Sequence, residues 1–182
     1  MDADDVATAV AELTRVLTPH IHLDWSVPAG TLDWSCRDTA AHVAHDLLAY
    51  AGQVAGAPRD AYLPMDLVVR PDAAVGEVLR VVAACGGLLV AALRAAPDGL
   101  RAWHFGPCDV GGFAALGVAE VLVHTHDVVA GLGVAWRPPE ALAAGVVGRL
   151  VPGAPPGDPA DVLLRHTGRV GAGGSWRWTV RP

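Results

Sequence analysis

The chain has 182 residues, 52% of them hydrophobic, and a formal net charge of −6. That is enough apolar material for one well-filled core and a short appendage, and too little for two full domains. No block of Lys or Arg stands ready to neutralise phosphates, which argues against a nucleic-acid binder, and no unbroken apolar run reaches the roughly 18 residues that span a bilayer.

Ala, Val, Leu and Gly dominate, with only two Phe and two Tyr, a composition that favours packed helices over an aromatic-rich β-sandwich. The opening MDADDVATAV is acidic where a signal peptide is basic, so a cytoplasmic protein is expected. Cys36, Cys85 and Cys108 are odd in number, widely spaced and without a CxxC pair. They are expected as buried free thiols, not as a disulfide framework or a thiolate zinc site.

Taken in chain order, a first helix is predicted from about Asp4 to Leu17, where Val6, Val10, Leu13 and Leu17 share a face, acids fill the first turn and Pro19 follows. His20 to Leu32 reads as a connection. Ser35 can cap a second helix, with Asp38 three residues on completing a variant capping box; it carries Val43, Leu47, Tyr50 and Val54 and ends near Gly56 and Pro58. A third helix is expected from about Asp72 to Ala96. Gly86 and Gly87 in its middle each cost about 1 kcal/mol relative to Ala and suit close packing. The stretch from Trp103 to Gly112 reads as a loop of the kind that rims sites. A fourth helix is predicted over about Phe113 to Leu132 and a fifth from Pro138 to near Leu150. A Pro/Gly-rich linker, Val151 to Pro159, leads to a short helix, Ala160 to His166, and a strand candidate, Trp176 to Val180. Four long helices suggest an all-α antiparallel bundle over 1–150, with a short α/β C-terminal extension over 151–182.

The segment AEVLVHTHD, Ala119 to Asp127, carries the strongest chemical signal. Glu120 and His124 are four residues apart, about 40° around a helix axis, on an otherwise apolar helix. An unpartnered buried Glu is costly, so Glu120 faces solvent, pairs with an Arg or His, or joins His124 in holding a transition metal. His42 is the best third ligand, with His45 and Asp46 near its face as alternative ligands or hydrogen-bond partners. His126 lies about 200° from His124 and belongs elsewhere. Asp127 either orients the His124 imidazole, caps a neighbouring group or is a surface acid. His20, His22, His104 and His166 read as ordinary exposed or capping histidines. No GxSxG elbow, Walker loop, dinucleotide fingerprint or HExxH is present.

Three segments resemble the DinB-like/mycothiol-dependent maleylpyruvate isomerase superfamily: DWSVPAGTLDWSCRDTAAHVAHD, with a Trp eight residues before a His; GVAEVLVHTHDVVAGLG, with Glu-x-x-x-His and a trailing Asp; and DVLLRHTGRV. The resemblance implies a DinB-like bundle in which His42, Glu120 and His124 hold a divalent ion, zinc foremost, with Glu120, His124 and Asp127 as the catalytic group. Three protein ligands leave a coordination position open, where a low-molecular-weight thiol such as mycothiol would lose its proton. The implied protein is an S-transferase acting on an electrophilic small molecule or, second, a maleylpyruvate isomerase-like enzyme, with a small substrate and a thiol as partners, as monomer or homodimer. Members with isomerase activity use a functional Arg in a longer C-terminal domain; here Arg165, Arg169 and Arg181 are the available cations. The contrasting expectations are a non-catalytic metal or small-ligand binding module, and an enzyme that uses the bundle cavity without a thiol.

Overall fold

Helix α1 (Ala3–Leu17) begins where the Asp2 carboxylate accepts from the amides of Asp4 and Asp5, at 2.8 and 3.2 Å, while Asp5 accepts from the Asp2 amide at 3.0 Å. This reciprocal cap satisfies amides that a helix start leaves bare and places acid at the positive end of the dipole. Helix α2 (Cys36–Gly56) is capped by Ser35, whose hydroxyl accepts from the Asp38 amide at 3.0 Å and donates to the Asp38 carboxylate at 2.7 Å. The computed structural model describes residues 1–171; the predicted strand Trp176 to Val180 and Arg181 lie outside them.

Helix α3 (Val75–Ala95) starts later than the predicted Asp72. A turn at 70–73 intervenes, and Glu77 accepts from the Ala74 amide at 2.9 Å. The supposed loop from Trp103 is in part a hairpin, β1 (Arg101–Trp103) against β2 (Pro107–Asp109), antiparallel with Ala102 opposite Cys108. Strands of three residues, one beginning on a proline, leave little alternation to read. Asp109 ends the hairpin and accepts from the Gly112 amide at 2.6 Å, so helix α4 (Val110–Gly131) starts earlier than predicted. Helix α5 (Glu140–Leu150) and helix α6 (Pro159–His166) follow, and Ala160 and Leu163 of α6 join the bundle core.

The fold is the expected all-α, DinB-like bundle. Helices α1 and α2 each pack on both α3 and α4. Gly86 lets α3 lie close against α1: a Cβ there would stand 2.7 Å from a Val10 methyl. Helix α4 is buried almost all round, which suits its apolar character on every face. Helices α3 and α4 are long and apolar enough to cross a membrane when a charge or two is tolerated, a property that counting unbroken apolar runs misses. In α4 that surface is buried among the other helices, whereas α3 leaves Ala83, Ala84, Gly87, Leu88 and Ala91 exposed.

The segment between α1 and α2 sets the register of the site. A Cβ on Gly131 would meet the Pro28 carbonyl oxygen at 2.3 Å and the Cys36 sulfur at 2.6 Å, so only glycine lets the start of α2 lie against the end of α4. The Cys36 thiol donates to the Val128 carbonyl there, at 3.6 Å. The second turn of α2 therefore faces the C-terminal half of α4.

Candidate metal centre

That approach brings His42 to the Glu120/His124 pair. The His42 and His124 rings are 5.1 Å apart between centroids and nearly perpendicular. One ligand atom from each of His42, Glu120 and His124 lies within 4.8 Å of the other two. Nε2 of His124 is 3.2 Å from Oε2 of Glu120; two atoms bound to one tetrahedral ion at 2.0–2.1 Å stand about 3.3 Å apart. Glu120 and His124 are buried and His42 is half-buried, so Glu120 does not face solvent. Two imidazoles and a carboxylate are a donor set that suits a borderline divalent ion. His42 also belongs to a second cluster, with His45 and Asp46. Asp46 is 3.2 Å from His42 Nε2, and His45 lies between Asp46, at 2.9 Å, and Asp66, at 3.0 Å.

Asp127 is no surface acid. It is buried, and its carboxylate stands 3.0 Å from His124 Nδ1, the placing that fixes a ligand histidine's tautomer and leaves Nε2 free to bind. Arg169, just beyond α6, then grips Asp127 with two prongs: Nε donates to Oδ1 at 3.0 Å and Nη2 to Oδ2 at 2.7 Å. Burial opposes charge on Asp127, but the His124 and Arg169 bonds outweigh it and hold its carboxyl below the usual range. Burial likewise opposes the imidazolium of His124, yet its bonds to Asp127 and Glu120 win and raise its pKa to about 9. His42 moves the other way: burial lowers it, with Asp46 only partly offsetting.

Trp34 packs edge-on against His42 with ring centroids 4.8 Å apart, eight residues before it in the chain. The family of the mycothiol maleylpyruvate isomerase N-terminal domain matches residues 4–129, which take in His42, Glu120, His124 and Asp127. The chain belongs to this family. It is thereby a DinB-like protein of a mycothiol-associated group. No curated protein and no solved structure matches it.

Within this mycothiol maleylpyruvate isomerase-type bundle, three features were not found from sequence. Along α2, His42, Asp46, Tyr50 and Gln53 follow a helical stripe, and that stripe is the site's face, although Tyr50 alone reads as core. Tyr50 is buried, and its hydroxyl is held neutral by burial and by the nearby Glu120 and Asp46 carboxylates. A cavity of about 340 Å³ lies beside it, walled by Tyr50, Asp46, Tyr62, Met65, His104 and Phe105 among others. His104 is accordingly not an exposed histidine. It is 7% exposed, hydrogen-bonded through Nδ1 to the Tyr62 hydroxyl, and burial takes its pKa down to about 4. His22 and His166 are exposed, as read, and His126 takes no part in the cluster. Of the candidate cations, Arg169 is engaged with Asp127 and Arg165 is exposed.

Proposed function

We propose that this protein is a metal-dependent, cytoplasmic S-transferase. In this reading His42, Glu120 and His124 hold a divalent ion, zinc first among candidates, and a low-molecular-weight thiol of the mycothiol kind is activated there for transfer to an electrophilic small molecule. The observation that carries the reading is the His42/Glu120/His124 cluster, its Glu120 and His124 buried, with a cavity near it lined by Asp46 and Tyr50. Three protein donors leave a position for an exogenous sulfur. An ion bound there supplies the positive charge that turns a thiol into a thiolate near neutral pH.

The chain's own residues do the rest. Asp127 holds a proton on His124 Nδ1 and so presents Nε2. Arg169 fixes Asp127, and the Tyr50 hydroxyl lies near Glu120. A second hollow, of about 530 Å³, is lined by His42 and His45 with Trp34 and Val68. Two hollows near His42 suit a reaction that brings two small molecules together. The thiolate sulfur would form a C–S bond to the electrophilic carbon as that carbon's bond to a leaving group breaks, the leaving group departing with the electron pair. On an activated alkene the π pair would move to the neighbouring carbon, which takes a proton from water. Arg169 is tied to Asp127 and is not the substrate-binding arginine of an isomerase, and the reading takes transfer first. A cytoplasmic setting keeps such thiols reduced.

The test is metal content, with thiol-dependent turnover, of the wild type against His42→Ala and Glu120→Ala. Loss of both metal and turnover is expected in each variant. Unchanged metal loading in both removes the reading.

A further inference from the structure

The cavity beside the cluster identifies the kind of molecule that would meet the thiol. Most of its wall is aromatic or aliphatic: Tyr50, Tyr62, Phe105, Leu63 and Met65. Its polar groups are already committed to one another. The Gln53 amide donates to the carbonyls of Trp103, at 2.7 Å, and Ala61, at 3.3 Å, and accepts from the Leu63 amide at 3.0 Å. Tyr62 and His104 bond each other, the Tyr50 hydroxyl lies near the Glu120 carboxylate, and His45 lies between Asp46 and Asp66. A carboxylate entering here would give up water without recovering donors for its oxygens.

Among the described residues, no lysine or arginine offsets that loss. The chain contains no lysine, and among the described residues no arginine lines the cavity. Arg169 is held by Asp127 and by the Thr167 carbonyl, at 2.8 Å. His104, kept uncharged by burial, offers no cation at neutral pH. Asp46, by contrast, brings a carboxyl to the wall itself, and the Glu120 carboxylate acts on the Tyr50 hydroxyl. With a divalent ion and a thiolate in place, their charges and that of Glu120 cancel, which leaves the surroundings neutral or negative. A carboxylate is therefore repelled or at best ignored.

We infer that the electrophile accepted by this cavity is an uncharged, largely apolar molecule, aromatic rings included, and not a carboxylate. The inference rests on reading the neighbouring cluster as a thiol-transfer centre, and its test separates the two. The probes are methyl 2-naphthoate and 2-naphthoate, which match in shape, differ in charge and do not react with thiols. Their affinities for the metal-free protein are measured by calorimetry or by their own fluorescence. The ester should bind at least roughly tenfold more tightly. A carboxylate that binds as well as the ester, or failure of both to bind, overturns the inference.

Location is tested by Met65→Arg, at a position 44% exposed where a charge is tolerated. That variant should improve carboxylate binding by about tenfold and leave the ester little changed; no gain for the carboxylate overturns the assignment to this cavity. Turnover with zinc and a thiol is then followed for uncharged and carboxylate-bearing electrophiles. No turnover with any electrophile, while the ester still binds, removes the S-transfer reading and spares the cavity's preference. Turnover that favours the carboxylate-bearing electrophile does the reverse.

Discussion

Raising the pH should tighten metal binding at this site by a margin set by one proton on His124. Without metal, that imidazole lies between two carboxylates, 3.2 Å from Glu120 and 3.0 Å from Asp127, and its pKa is about 9 against an ordinary 6.5. An ion needs the Nε2 lone pair, so the proton that bridges to Glu120 has to leave. Each pH unit below 9 therefore weakens apparent affinity by about tenfold, or ~1.4 kcal/mol, and the whole interval down to 6.5 is worth about 3 kcal/mol. Competition with a chromophoric zinc chelator at about pH 6.5, 7.5 and 8.5 reads the slope. Calorimetry in two buffers of different ionisation heat counts the protons, and about one from His124 is expected near pH 7.5. His42 is lowered, so it adds none there. The same pKa makes a claim on stability. The folded value lies above the unfolded one, so the contribution of His124 to the metal-free protein is full below about 6.5 and is lost as pH rises through about 9. Zinc affinity that stays flat over this range, once corrected for the chelator, would refute the reasoning.

Three further outcomes follow from the packing. Arg169→Gln should lower zinc affinity by roughly 10–100-fold through Asp127 and His124, and reduce stability to denaturant by about 3 kcal/mol, because it strips one partner from a buried ion pair; a variant with wild-type zinc affinity would show that Arg169 does not act through the ligand. Gly86→Ala, whose Cβ would press on Val10 at 2.7 Å, should cost about 1–3 kcal/mol in chemical denaturation, and no loss would mean that α1 and α3 part freely. Burial pushes the thiols of Cys36 and Cys108 up to about 11 and about 12 and raises Cys85 as well, so iodoacetamide near pH 8 should leave all three unmodified until the protein is unfolded; quick labelling of the native protein would contradict this.

The helices were legible because their signals are local. Ser35 before Asp38, acids after Asp2, and apolar residues at helical spacing each act within a few residues, and each appears where expected. Glu120 and His124 were legible as a pair for the same reason, since four residues on one helix fix their proximity. The hairpin at 101–109 escaped because each strand has three residues and its turn uses Phe105 with φ +52° and Gly106 with φ +145°, features that mimic an irregular loop. The Arg169 grip on Asp127 spans 42 positions, and no spacing rule connects an arginine after one helix to an acid inside another. Tyr62 and His104 face each other from two different connections, for the same reason beyond reach. The Tyr50 stripe was within reach. Tyr50 is a core residue, as read, and its helical spacing from His42 and Asp46 also puts it on their face.

The most direct test replaces zinc with cobalt and adds a small thiol. If His42, Glu120 and His124 hold an ion with a position free for sulfur, the cobalt-loaded protein should show a tetrahedral visible spectrum and gain a thiolate-to-cobalt charge-transfer band on adding the thiol. Both features should be absent from His42→Ala. A cobalt spectrum unmoved by saturating thiol, or one that persists in His42→Ala, would contradict the account.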